Sequence, residues 1–501
     1  MERSLDLTGI RTLIVGLARE GTALARFLAE RGASVTVTDA KPAEALADNL
    51  AALADLPLRL ALGGHPSALL DETDILFVSP GVPPDIPFLA EARRRGLPLS
   101  SEVRLFTRLC PATIIGITGS SGKTTTTTLV GEMLRAAGRK TWVGGNIGRP
   151  LIAHVDEIGA ADLVVMELSS FQLEFFGEWT SEGGRLGVGQ SGIGEWGGPD
   201  VLFDPAGWSP PLAAVLNVTP NHLDRHPSMA AYIAAKEQIW RHQRPGDRLL
   251  LNRDNDVTRQ MGEKAHCNLL WFSLEQEVEE GAFLRGEDLV LRRRGREQTI
   301  CCRDELSLLG RHNVANVLAA SALADAAGAP PAAIRQVATT FSGVAHRLEP
   351  VGEWKGVRWY NDSIATTPER TVAALRSFDA PLVLLAGGRD KHLPWGEMAA
   401  LTRRKVRHLI LFGEAADLIE RAVVAAQAAG SPRPAIHHAG TLERAVRIAA
   451  QVARPGDVVL LSPGGTSFDA YRDFEERGEH FRQLVREMVL NRKGAKNAKE
   501  K

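Results

Sequence analysis

Residues 113–137 limit what this chain can fold into more than any other stretch. Thr113-Ile114-Ile115-Gly116-Ile117-Thr118 is short, apolar and β-branched, which predicts a buried strand. Gly119-Ser120-Ser121-Gly122-Lys123-Thr124 follows, and Leu129, Val130, Met133 and Leu134 then recur at helical spacing from Thr125 to Ala137. A strand, a glycine loop and a helix in that order aim backbone N–H groups and the positive helix end at a phosphate. Lys123 is expected to reach the β- and γ-phosphates of ATP, and the Thr124 hydroxyl to face Mg²⁺. The usual phosphate loop has a glycine five positions before Gly122; here that position is Ile117, so the loop is short.

The same alternation runs through the rest of the chain. Arg11–Gly16, Val35–Asp39 and Ile75–Val78 read as strands, with Gly16-Leu17-Ala18-Arg19-Glu20-Gly21 opening a helix and Ser79–Pro83 forming a turn. This is a doubly wound parallel pattern whose glycine fingerprint is degenerate, because Ala18 replaces the middle glycine. It suits a nucleotide diphosphate better than a dinucleotide. Leu163–Met166 and Ala213–Val218 read as strands of the phosphate-loop unit, and Pro381–Ala386, His408–Phe412 and Asp457–Leu461 as strands of a third. The expected fold is α/β in three domains: a Rossmann-like domain at 1–110, a P-loop ATPase-type domain at 111–343, and a Rossmann-like domain at 344–501 ending in a basic tail. Residues 177–211, crowded with glycine and tryptophan and without a period, read as a mobile surface insertion in which Trp179, Trp196 and Trp208 could dock on a neighbour.

At 501 residues the chain is too long for one core. A net charge of −1 gives no electrostatic reason to expect nucleic acid or an anionic membrane. Cys110, Cys267, Cys301 and Cys302 lack metal-binding spacing, which fits a reduced cytoplasmic setting. No signal peptide and no membrane-length apolar run is evident.

Three apolar strands are each followed by a candidate metal ligand: Thr124, Glu167 and His222. Glu167 offers the hard oxygen that magnesium prefers, whereas an imidazole is an unusual choice. Spacing alone makes Lys236, within Tyr232-Ile233-Ala234-Ala235-Lys236-Glu237, a surface lysine.

Taken together, Gly119–Thr124, Gly144–Gly148, Glu167-Leu168-Ser169-Ser170-Phe171-Gln172-Leu173-Glu174, Asn217–His226, Gly310–Asn316, Ala345–Glu349 and Leu461–Pro463 resemble the Mur ligases of peptidoglycan synthesis. The resemblance covers the chain outside 177–211 and the tail. It implies an ATP-dependent ligase with two Mg²⁺ ions. The Glu167–Glu174 phrase is most similar to members joining D-glutamate to UDP-N-acetylmuramoyl-L-alanine. By the same resemblance, Gly119, Ser120, Ser121, Gly122, Lys123, Thr124, Asn316, Arg347 and Asp362 bind ATP. Glu167, His222 and Lys236, the last as a carbamate, join Thr124 around the metal. Asp39, Gly81 and Asn146 lie near the UDP-substrate, with Arg19 and Glu20 beside them. Thr366, Lys391, Ser467, Phe468 and Phe474 surround D-glutamate. Lys123, Glu167, His222, Lys236 and Lys391 are the expected catalytic set, in a monomer.

Two departures stand out. Ile364 occupies a position where the family often has lysine, and Lys391 is the candidate to supply that charge. Arg19 and Glu20 replace small or apolar residues. A folylpolyglutamate synthase would share the loop but not the Ser-Ser-Phe-Gln phrase or the extra first domain. A nucleotide-binding scaffold without turnover has only Ile364 in its favour.

Overall fold

The computed structural model describes residues 5–178, 202–220, 225–308, 310–391, 393–426 and 434–497, with side chains to 488. The chain forms two compact units, Met1–Phe341 and Ser342–Lys501.

The first unit holds two sheets. In the first, β1 (Arg11–Val15), β2 (Ser34–Asp39), β3 (Arg59–Leu62), β4 (Ile75–Val78) and β5 (Leu99–Ser100) lie in the order β3-β2-β1-β4-β5, all parallel. The order reverses at β1, so the turn after β1 opens onto the crevice where such sheets bind ligands. Gly16 makes that turn at φ +96°, and a Cβ there would lie 2.9 Å from Val82.

The second sheet comprises β6 (Thr113–Thr118), β7 (Thr141–Gly145), β8 (Leu163–Glu167), β9 (Leu212–Val215), β10 (Arg248–Asn252), β11 (Asn268–Ser273), β12 (Gly281–Arg285), β13 (Asp288–Arg293) and β14 (Arg296–Cys302). Its order is β14-β13-β12-β11-β10-β9-β6-β8-β7, parallel except for the β12–β13–β14 meander. β6 is central and buried, as its β-branched sequence requires, with Ile115 and Ile117 fully enclosed. The carboxyl ends of β6, β8 and β9 therefore lie side by side.

The second unit carries β15 (Glu349–Trp354), β16 (Val357–Asn361), β17 (Leu382–Gly387), β18 (Val406–Phe412), β19 (Ala435–Gly440) and β20 (Val458–Gly464), ordered β15-β16-β20-β17-β18-β19. Only β15 runs antiparallel to its neighbour.

Two expectations need correction. The strand predicted over Ala213–Val218 stops at Val215, because the residues beyond it serve the phosphate loop: Asn217 Oδ1 accepts from Ser121 N at 2.9 Å, and Asn217 O accepts from Ser120 N. The segment expected as a surface insertion is packed where it rejoins the sheet. Leu202 is buried, Trp208 meets Phe176 edge-on, and Arg104 donates to Ala206 O at 2.6 Å. Trp179 and Trp196 lie outside the described residues. Cys301 is buried in β14, Cys302 is half-buried at its end, and both are free thiols.

Candidate active site

The loop after β6 passes directly into the helix Lys123–Ala136. Gly122 caps that helix at φ +81°, and a Cβ there would lie 2.3 Å from Asn316 Oδ1. Glycine is thus required both by backbone conformation and by the packing of Asn316, which extends from the helix Arg311–Ala326. The loop is fastened from beneath. Ser120 Oγ donates to Thr219 O at 3.0 Å and meets Tyr232 Oη at 3.1 Å.

Glu167, the last residue of β8, is 2% exposed. Its Oε2 accepts from Thr124 Oγ1 at 2.8 Å and its Oε1 from Asn146 Nδ2 at 3.0 Å. Both donors are neutral, so no cation pairs with this carboxyl through these two hydrogen bonds. Thr124 and Glu167 present hard oxygens at 2.8 Å from each other, a donor set that fits a magnesium ion.

Lys236 contradicts the surface reading. It is 1% exposed, on the face of the helix Met229–Arg241 that also buries Tyr232, Ile239 and Trp240. Periodicity around one polar residue could not reveal this, because that helix is apolar on much of its circumference. Lys236 Nζ donates to Gly119 O at 3.0 Å and to Thr118 Oγ1 at 3.4 Å, and stands 4.6 Å from the Tyr232 ring centroid. Lys123 Nζ donates to the same Gly119 carbonyl, also at 3.0 Å. Burial and the charge of Lys123 push the Lys236 ammonium down to about 7, against the pull of Glu167. His222 lies outside the described residues. Four positions on, His226 is buried, with Nε2 2.9 Å from Ser170 Oγ and its ring stacked on Phe171.

In the first sheet, Asp39 Oδ2 accepts from Leu17 N at 2.7 Å and Oδ1 from Lys41 N at 2.8 Å, which fixes the turn after β1. Gly81 is exposed in the turn after β4. Arg19 and Glu20 reach toward the second sheet. Arg19 donates to Gly148 O at 2.7 Å, and Glu20 accepts from Gln172 Nε2 at 2.7 Å.

The second unit gathers another set at the carboxyl ends of β16, β17 and β20. Asp362 is buried; its oxygens accept from Leu348 N at 3.2 Å and Ser462 Oγ at 2.8 Å. Burial pushes it up to about 7, although these hydrogen bonds and the nearby Arg347 act the other way. Arg347 is exposed, between His346 at φ +61° and Leu348 at φ +43°. Side chains rarely adopt that conformation, so the turn is strained. Asn361 holds it, donating toward His346 Nδ1 at 3.0 Å and to Gly478 O at 3.1 Å. Thr366 is half-buried and Ser467 buried, Phe474 opens the helix Phe474–Asn497, and Lys391 and Phe468 are exposed. Arg389 and Thr466 exchange backbone hydrogen bonds at 2.9 Å, joining the loops after β17 and β20.

Sequence reasoning missed Arg477. This fully buried guanidinium donates to Ser363 Oγ, Ser363 O, Gly465 O and Thr466 O, so one side chain ties the loops after β16 and β20. Burial lowers it to about 10. Asn217 and Tyr232 were also missed as parts of the site. Tyr232 could have been read from its position one helical turn before Lys236.

Family models match along most of the chain: the Mur ligase MurD-like N-terminal domain at residues 10–101, the Mur ligase middle domain at 117–181 and 204–324, and the Mur ligase glutamate ligase domain at 346–465. The middle-domain match skips 182–203, inside the glycine-rich segment. The chain is 45% identical to a UDP-N-acetylmuramoylalanine–D-glutamate ligase of Symbiobacterium thermophilum, over 95% of this chain and 97% of that one. It is 42% identical to the enzyme of the same name from Roseiflexus, over 96% and 99%. Among solved structures, a UDP-N-acetylmuramate-alanine ligase of Thermotoga maritima shares the fold, with a TM-score of 0.51, 18% identity and coverage of 96% of this chain and 100% of that one. With its phosphate loop, its three sheets and these matches, the chain belongs to the Mur ligase family of ATP-dependent ligases.

Proposed function

We propose that this protein joins D-glutamate to UDP-N-acetylmuramoyl-L-alanine, at the cost of one ATP, in peptidoglycan precursor synthesis. The observation that carries the reading is the convergence of Lys123 and Lys236 on the Gly119 carbonyl beside buried Glu167. The relatives' names supply the substrates.

Direct amide formation from a carboxylate is slow and unfavourable, so the carboxylate is first activated. An oxygen of the L-alanyl carboxylate attacks the γ-phosphorus of ATP, the bond to the β-phosphate oxygen breaks, and ADP leaves. The amine nitrogen of D-glutamate then attacks the acyl carbon, the bond to phosphate breaks, and the nitrogen loses its proton. Lys123 and the loop N–H groups hold the transferring phosphoryl and offset its charge. Thr124, Glu167, His222 and carbamylated Lys236 would hold two magnesium ions. Bound there, magnesium supplies further neutralisation of phosphate charge. Lys236 suits carbamylation because a neutral amine is abundant at about pH 7: its nitrogen attacks the carbon of CO₂ and loses a proton, leaving an anionic carboxylate. Asn316 and, on the second unit, Arg347 and Asp362 contact ATP. Asp39, Gly81 and Asn146 serve the UDP-substrate. Thr366, Lys391, Ser467, Phe468 and Phe474 receive D-glutamate, with Lys391 supplying the charge absent at Ile364. The protein acts as a cytoplasmic monomer; among the described residues no helix is long and apolar enough to cross a membrane.

Hydroxylamine tests the intermediate. With ATP and UDP-N-acetylmuramoyl-L-alanine but no amino acid, the hydroxamate of the L-alanyl carboxyl is expected. Its absence, with both substrates bound, would overturn the acyl-phosphate route.

A further inference from the structure

Glu20 stands in the first turn of the helix Arg19–Ala29, just after the ligand-facing turn of β1, yet its side chain points inward and is 8% exposed. Its Oε1 accepts from Gln172, and its buried Oε2 has no hydrogen-bond partner among the described residues. Glu102, which opens the helix Glu102–Leu109, is 5% exposed and accepts from Ile152 N at 3.3 Å. The two carboxyls line one cavity, too tight for water, with Ile14, Leu24, Phe77 and Val78. Among the described residues neither carboxyl forms an ion pair, so burial there is costly for both charged forms.

Gln172 is fully buried and faces both ways. Its Oε1 accepts from Ser169 N and Ser169 Oγ, both at 3.0 Å, closing the capping box of the short helix that follows Glu167. Its Nε2 donates to Glu20. A chain of hydrogen bonds therefore runs from the turn after β1 to the segment that carries Glu167.

We propose that Glu20, backed by Glu102, is a positioning residue for the ligase reaction: its carboxyl fixes Gln172, and through the Ser169 cap it fixes the segment carrying Glu167 against the turn after β1. This rests on the ligase reading above. It gives Arg19 and Glu20, where small or apolar residues were expected, a place in the fold: Arg19 donates to Gly148 O and Glu20 accepts from Gln172 Nε2.

The arrangement carries a pH dependence. The charges acting on the pair are the two carboxyls themselves and Arg19. Other charged groups on the surrounding elements have their own partners: Arg104 with Ala206 O, Arg108 with Asp204, Asp156 with Arg31, His154 with Glu157, and Glu174 with Arg225. Burial pushes Glu20 up to about 7, and burial plus the charge of Glu20 pushes Glu102 up to about 8. Burial holds both carboxyls protonated to higher pH than usual, and the like charge of Glu20 holds Glu102 protonated further, so the second negative charge enters the pair last as pH rises.

The test measures kcat/KM for UDP-N-acetylmuramoyl-L-alanine from pH 6 to 9, with unfolding temperature as a control. Glu20→Ala should lower kcat/KM about tenfold, the scale of one lost buried hydrogen bond. Glu20→Gln should lower it less, since the amide oxygen still accepts from Gln172. Glu102→Gln should flatten a decline that the wild type shows from pH 7 to 9. Glu20→Ala at wild-type kcat/KM with an unchanged unfolding temperature, or a Glu102→Gln profile matching the wild type, would overturn the proposal. Infrared spectroscopy reads the pair without turnover and so separates its failure from failure of the ligase reading. The buried protonated-carboxyl band at pH 7.5 should lose intensity in Glu102→Gln, leaving the smaller contributions of Glu20 and Asp362; an unchanged band would contradict the assignment.

Discussion

Two buried charge clusters in the first unit respond to burial in opposite ways. At the phosphate loop, Lys236 is desolvated beside a like charge, Lys123, and beside an opposite one, Glu167. Between the first and second sheets, Glu20 and Glu102 are desolvated beside each other, with Arg19 as partial relief. Burial drives each group toward neutrality, so the lysine falls to about 7 and the acids rise to about 7 and 8. Only the first cluster borders the open phosphate loop. Burial by itself therefore makes a titrating group, and proximity to the loop makes it useful in chemistry.

Removing the cation nearest the phosphates gives the largest expected effect. Lys123→Ala should lower kcat by about 10²–10³, the usual loss for one electrostatic contact to the transition state, with little change in unfolding temperature. Steady-state phosphate release reads it. Near-normal turnover would remove the distinction between the clusters.

Lys236 sharpens the contrast. Lys236→Ala should lose most of its turnover and recover part of it with added short carboxylic acids, which replace the carbamate. Stability gives the sign independently. An amine whose folded pKa lies below its unfolded value of 10.5 contributes stability above pH 10.5, and that contribution is lost as pH falls to about 7. With dissolved CO₂ removed, so that Lys236 stays an amine, unfolding temperatures of wild type and Lys236→Met should therefore diverge from alkaline toward neutral pH, with the variant gaining. Parallel curves would return Lys236 to a solvated state.

Asp362, in the second unit, tests burial without a like-charge neighbour. Its carboxyl is raised from 3.8 to about 7, so stability is full below pH 3.8 and falls as pH rises through 7. The difference corresponds to a change on the order of 4 kcal/mol. Asp362→Asn should flatten that slope in the melting of the second unit while lowering activity. An unchanged slope would mean that Asp362 keeps its charge.

The smallest effect is expected from excising residues 182–201 with a short glycine-serine bridge. Turnover should stay within about tenfold of wild type, because the family match also skips this stretch. Extending the cut through 211 removes Leu202 and Trp208 from their packing and should lower the unfolding temperature as well.

What the sequence revealed follows from what is local. The strand–loop–helix unit at 113–137 and the strands ending at Asp39, Val78 and Glu167 were legible because apolar runs and glycines are contiguous signals. The β10–β14 extension was not read: β12 to β14 carry charged residues between apolar ones, and their pairing is set by the meander. Within the site, Lys123, Thr124 and Glu167 announced themselves by position at strand ends. Lys236, Gln172 and Arg477 did not, because each acquires its role from a partner far away in the chain: Gly119, Glu20 and Ser363 respectively.

The most direct test measures phosphate release from ATP with Mg²⁺ and UDP-N-acetylmuramoyl-L-alanine while amino acids are supplied one at a time. Turnover with D-glutamate alone is the predicted result. Turnover with L-glutamate or another amino acid in its place would contradict the D-glutamate assignment, and no turnover with any of them would contradict the ligase reading itself.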